Sequence, residues 1–203
     1  CISGTPILVH QDIIAEFTSR LAELAGRATV GPPDDPNSQI GPMANRPHYE
    51  HVLSSIEAAV KDGHELLLDG RSECRERGYF IGPTIFANVP NESNLAQNEV
   101  FGPVASTEAW ADEKEAVRIA NDTIFGLAAG IWSRDVANAM LVADQIEAGT
   151  VYINNYFSAS AQSPVGGHKQ SGYGRENGWE GMRGFMQTKS IWLSTNPSQP
   201  APF

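Results

Sequence analysis

The pattern over residues 127–154 narrows what this chain can fold into more than any other feature. An apolar run at 127–132 precedes helical spacing over 136–146, then Gly149, then a second apolar run at 150–154. Strand, helix, strand with joints this short is the βαβ pattern, which favours a parallel sheet with crossover helices. The rest of the chain reads compatibly. Pro6-Ile7-Leu8-Val9-His10 is a buried strand, Gln11-Asp12 offers an N-cap, and Ile13, Ile14, Phe17, Leu21 and Leu24 share one helical face. Tyr49, Val52, Leu53, Ile56 and Val60 mark a second helix, which Asp62-Gly63 ends. Strands are expected over 65–68, at Tyr79-Phe80-Ile81 and Thr84-Ile85-Phe86, and over 104–110. Ala116, Val117 and Ala120 indicate a helix closing near Asn121-Asp122, and a short helix at 176–185 and a final strand at 188–193 follow. The predicted class is α/β with a mostly parallel sheet.

Charge and composition remove several kinds of function. With 24 acidic and 14 basic side chains the net charge is −10, and no basic stripe is present to meet phosphates, so a nucleic-acid partner is not expected. No run of about 18 apolar residues is available to span a membrane, and no basic-then-apolar leader opens the sequence. Two cysteines, Cys1 and Cys74, do not make a disulfide scaffold. His48 and His51 stand one helical turn apart but lack a third ligand, so no metal is expected. These features fit a cytoplasmic globular protein.

Three segments can carry chemistry. Cys1 opens Cys1-Ile2-Ser3-Gly4-Thr5, a small-residue stretch leading into an apolar strand; a cysteine there can be a nucleophile at the mouth of a sheet, or an inert buried thiol. Cys74 sits among Arg71, Glu73, Arg75, Glu76 and Arg77 and reads as solvated surface. Asn98-Glu99-Val100-Phe101-Gly102-Pro103 sets a carboxylate two residues before an aromatic ring in a tight segment, suited to a diol such as a ribose with the ring as an apolar wall, or to a plain surface turn. The Gly-rich run from Gly166 to Arg175 lacks Walker spacing and reads better as a loop approaching another backbone closely than as a phosphate cradle.

Taken in order, these segments resemble the aldehyde dehydrogenase superfamily. The resemblance is carried by Cys1-Ile2-Ser3-Gly4-Thr5, Ile40-Gly41-Pro42, Gly78-Tyr79-Phe80-Ile81-Gly82-Pro83-Thr84 and Glu99-Val100-Phe101-Gly102-Pro103-Val104. It continues through Asn121-Asp122-Thr123-Ile124-Phe125-Gly126-Leu127 and Gly149-Thr150-Val151-Tyr152-Ile153-Asn154. Ser163-Pro164 with Gly166-Gly167-His168-Lys169-Gln170-Ser171-Gly172 and Gly174-Arg175-Glu176 complete it. It spans residue 1 to about residue 194 and implies a carboxy-terminal catalytic half. Residues 1–175 would form the catalytic domain; residues 176–203 would form a helix, an oligomerisation strand and a tail.

By that resemblance Cys1 is the catalytic nucleophile, Glu99 holds the nicotinamide ribose hydroxyls of NAD or NADP, and Phe101 lies against the nicotinamide. Tyr156, Phe157, Ala159 and Val165 line the aldehyde pocket. The resemblance also implies a homo-oligomer, and a cofactor domain, general base and oxyanion-hole asparagine that precede the cysteine, so that the chain alone is inactive. Val165 stands where many members carry an aromatic residue, and Ser158-Ala159-Ser160-Ala161 is built from small side chains, which implies a wide pocket. Two other readings stay open from the residues: a Cys/His hydrolase or acyltransferase pairing Cys1 with His168, and a non-catalytic assembly module using the final strand.

Overall fold

The structure is a computed structural model that describes residues 3–75, 77–195 and 198. Strands β1 (Ile7–His10), β2 (Glu65–Leu68), β3 (Thr84–Ala87) and β4 (Val104–Trp110) form one sheet in the order β1-β4-β3-β2. β4 pairs parallel with β1 and with β3, with Ile7 opposite Thr107 and Thr84 opposite Val104. β2 is the antiparallel edge, and its register shifts between Leu66 and Leu68. A second, two-stranded sheet holds β5 (Ala128–Ile131) parallel to β6 (Thr150–Ile153). The mostly parallel architecture is as expected, divided between two sheets.

Among the described residues six α-helices accompany the strands: α1 (Ile14–Ala25), α2 (Arg46–Lys61), α3 (Asn94–Gln97), α4 (Glu113–Asn121), α5 (Val136–Ala143) and α6 (Gly178–Arg183). Short polar side chains set several starts, as orphan amides at a helix N-terminus require. Asn45 accepts from the His48 amide, Asp112 from Glu115 and Asp135 from Asn138. α1 departs from the expectation. Ile13 occupies its cap position and has no side-chain acceptor to offer, while the Asp12 amide one residue earlier donates to the His10 ring.

The core forms where α2 lies on the larger sheet. Val52, Ile56 and Ala59 pack with Ile81, Phe86, Val89 and Val104. Each large apolar side chain removed from water here contributes about 1.5–3 kcal/mol. β3 is buried at all four positions, the signature of a strand covered on both faces. Its Thr84 hydroxyl is accommodated because it accepts the Gly70 amide at 3.1 Å.

Two expected strands form no ladder. Phe80 and Ile81 are buried, but the Tyr79 carbonyl accepts from Met43 and the Gly82 amide donates to Gly70, so this run is a packed crossing segment. Residues 188–193 have no regular structure, and Ile191, Trp192 and Leu193 are exposed. That segment does not fold back onto its own chain as a strand.

Candidate functional site

Residues 98–103 are delivered by α3 and held against α2 by two contacts. His48 Nε2 lies 2.6 Å from the Phe101 carbonyl oxygen. A carbonyl only accepts, so this ring nitrogen carries the proton. One turn further along α2, Val52 packs on Gly102: a Cβ at Gly102 would sit 2.7 Å from both Val52 methyl carbons. Only a glycine lets the segment come this close.

With its carbonyl and its neighbour fixed, Phe101 takes a left-handed backbone conformation, φ 57°, uncommon for an aromatic residue. Its ring stays 56% exposed. Glu99 is also exposed and lines a groove of about 410 Å³ with His51, Ser55, Asn98, Val100 and Phe125. An ionisable acceptor that lines this groove and an exposed aromatic ring thus stand two residues apart on one clamped segment.

A second cluster stands where β5 and β6 end, the edge of a parallel sheet at which ligands usually bind. Tyr156 contacts Trp132, Tyr152 and Phe157, with ring centroids 5.9, 5.0 and 5.1 Å away. Burial, and then the neighbouring Tyr152, push the Tyr156 phenol above its ordinary pKa, so it remains a hydroxyl donor near neutral pH. Its hydroxyl oxygen would be 3.7 Å from a Cβ at Gly4, so this ring stands against the backbone three residues beyond Cys1. Cys1 itself lies outside the described residues.

Phe157 and Ala159 are exposed, as is Val165, whose amide and carbonyl pair with Glu176. An open depression of about 540 Å³ adjoins the cluster at Trp132, Ser133, Arg134 and Asn154. The structure therefore gathers Tyr156 and Phe157 into one aromatic group, apart from the segment bearing Glu99 and Phe101.

The model of the aldehyde dehydrogenase family matches residues 1–191. The chain belongs to the aldehyde dehydrogenase family. It is 40% identical over 196 residues to a betaine aldehyde dehydrogenase of Brucella anthropi, covering 95% of this chain and 40% of that protein. It is 39% identical to mouse retinal dehydrogenase 2, over 94% of this chain and 37% of that protein. Among solved structures, a betaine aldehyde dehydrogenase from Staphylococcus aureus in complex with NAD+ superposes with a TM-score of 0.93 at 34% identity, over 100% of this chain and 41% of that one. The chain thus spans about 40% of the length of the aldehyde dehydrogenases it matches.

Within this family member the Gly-rich loop is tied to the residues before β5, and the amides of His168, Gln170 and Ser171 are committed to backbone carbonyls. His168 and Gln170 donate to the Gly126 and Ile124 carbonyls, and Ser171 Oγ accepts from the Gly126 amide. A Cβ at Gly149 would stand 1.6 Å from the Gly166 carbonyl oxygen, so the loop closes on the turn before β6. This is the close-approach reading of the glycines rather than the phosphate cradle.

The sequence pointed to His48 only with His51, as a pair lacking a third metal ligand, and missed its bond to Phe101. Its spacing from Val52 was the available signal, since residues four apart share a helix face. Among the described residues no group of three or more His, Cys, Asp or Glu could hold a metal ion, and no helix is long and apolar enough to cross a membrane.

Proposed function

We propose that the whole protein bearing these residues oxidises an aldehyde to a carboxylic acid with NAD or NADP. This chain would supply the nucleophile and one wall of the nicotinamide site. The observation that carries the reading is an exposed Glu99 two residues before an exposed Phe101, on a segment clamped by His48 and Val52. A nicotinamide nucleotide fits these residues: an ionised acceptor makes strong hydrogen bonds to a ribose diol, and the ring offers an apolar face. The bound cofactor would accept the hydride, which no side chain can do.

Cys1 would attack the aldehyde carbon as a thiolate, forming the C–S bond of a thiohemiacetal. Backbone amides beside it would meet the oxyanion. After hydride loss the thioester is opened by water and the Cys1 sulfur departs as thiolate. Tyr156 and Phe157 would wall the aldehyde pocket, while the short side chains of Ala159 and Val165 leave it wide. The 203 residues alone would not turn over, a reading supported by their share of the relatives' length. Residues 1–175 would form the catalytic part. Residues 176–203 would include the assembly element, with 188–193 joining another copy in a cytoplasmic homo-oligomer.

Glu99→Gln in the whole protein tests the reading. The expected result is slower hydride transfer with thioester hydrolysis unchanged. Acyl-enzyme accumulating after a normal hydride burst would place Glu99 in hydrolysis and refute its assigned role.

A further inference from the structure

We propose that Gln97, locked by Asn91 and Asp122, is a positioning residue that sets where Glu99 stands; the inference rests on Glu99 contacting the cofactor. α3 spans only Asn94–Gln97, and one turn this short does not hold its own direction. Its start is fixed by Ser93, whose hydroxyl accepts the Ala96 amide at 3.2 Å. Its end is fixed by Gln97. The Gln97 Nε2 group faces three acceptors: the Asn91 carbonyl at 2.8 Å, Asn91 Oδ1 at 3.2 Å and the Asp122 carbonyl at 2.8 Å.

Asn91 is itself immobilised. It is 7% exposed, its amide donates to Glu108 Oε1 at 3.1 Å, and its Nδ2 donates to Asp122 Oδ2 at 2.7 Å. The end of α3 is thereby tied to β4 through Glu108 and to the residue capping α4 through Asp122. Two residues beyond Gln97 comes Glu99, and two beyond that comes Phe101, held by His48. Glu99 lies between these two clamps and lines the groove together with Leu95 and Asn98.

The lock depends on donors. Three oxygens converge on one nitrogen, so a side chain of the same shape without hydrogens should be worse than no side chain. Gln97→Glu places a carboxylate against those oxygens and near the Asp122 carboxylate. Gln97→Ala removes the tie, and Gln97→Lys restores a donor group with three hydrogens.

The test is steady-state and burst kinetics of the whole enzyme with NAD+ or NADP+ varied. Gln97→Ala should raise the cofactor KM by about fivefold to tenfold, the usual net worth of a hydrogen bond. Gln97→Glu should raise it further, and Gln97→Lys should recover most of the loss. Aldehyde KM and thioester hydrolysis should not move. In a Glu99→Gln background, Gln97→Ala should add little, because it acts through Glu99.

If Glu99→Gln alone leaves cofactor KM and hydride transfer unchanged, the cofactor reading of Glu99 fails. If Glu99→Gln impairs them while Gln97→Ala and Gln97→Glu do not, the positioning inference fails. Equal losses in cofactor and aldehyde KM with a lowered thermal midpoint would make Gln97 merely structural and also overturn it. Should the Glu variant not fold, the Ala and Lys pair carries the comparison.

Discussion

Replacing Gly102 with alanine isolates the contact that holds the segment bearing Glu99 and Phe101 on α2. The new Cβ would lie 2.7 Å from both methyl carbons of Val52, a side chain with no exposed surface. Carbon pairs rest about 3.5–4.0 Å apart, so segment and helix must separate by roughly 1 Å. Gly102 is not among the residues with positive φ, so the penalty is steric rather than conformational. Overpacking of this kind costs about 1–3 kcal/mol. With a urea dependence of about 2 kcal/mol per molar, the unfolding midpoint should fall by roughly 0.5–1.5 M.

Val52→Ala alone removes two buried methyl groups and costs about 2–3 kcal/mol. Combined, the two substitutions no longer collide, and the alanine methyl at 102 occupies part of the vacated space. The double variant should therefore resemble Val52→Ala and recover about 1–3 kcal/mol relative to additivity. Urea unfolding followed by tryptophan fluorescence measures the stability cycle, and cofactor KM in the whole protein measures its consequence for the site. If the two losses simply add, the Gly102–Val52 contact does not hold the segment and the reasoning is refuted.

Three other outcomes follow from the same structure. Cys74 is exposed, so Cys74→Ala should retain nearly all dehydrogenase activity in the whole protein, while Cys1→Ala abolishes it; comparable losses would contradict the assignment. Burial raises the Glu108 pKa in the fold, and Glu92 and Glu115 add to the rise against the opposing Asn91 amide and Arg118. Its native form binds a proton more tightly than the unfolded one, so stability from this group is present below the ordinary glutamate range and is lost as pH rises through the raised value. Glu108→Gln keeps an acceptor for Asn91 and has no proton to lose. Its urea midpoint should gain on the wild type as pH rises from the ordinary glutamate range through the raised value, and a constant difference would contradict this. Trp192 is 94% exposed and flanked by exposed Ile191 and Leu193. The intact chain should self-associate in light scattering, whereas one ending at Gln187 should stay monodisperse.

The legible parts of the fold were those that local spacing dictates. β5, α5 and β6 lay within the expected segments because apolar period and short joints sufficed, and α2 was readable from Tyr49 to Val60. Phe80 and Ile81 were read as strand because burial and strand propensity coincide; whether a buried run joins a ladder depends on neighbours that spacing does not reveal. The same limit hid much of the site. Glu99 and Phe101 were recognisable as a motif, but His48 reaches Phe101 across 53 residues and Gln97 reaches Asp122 across 25. Glu108 went unnoticed because an acidic residue in an apolar strand has no local meaning until Asn91 is placed beside it.

Trapping the covalent intermediate tests the central claim most directly. The whole protein would be mixed with an aldehyde and NAD+ or NADP+, quenched in acid within the burst, and mapped by peptide mass spectrometry. The account predicts an acyl mass increment on the peptide containing Cys1, dependent on the oxidised cofactor, and none on the peptide containing Cys74. NAD(P)H formed in the burst with no acyl group on Cys1, or acylation of Cys1 without any cofactor reduction, would contradict it.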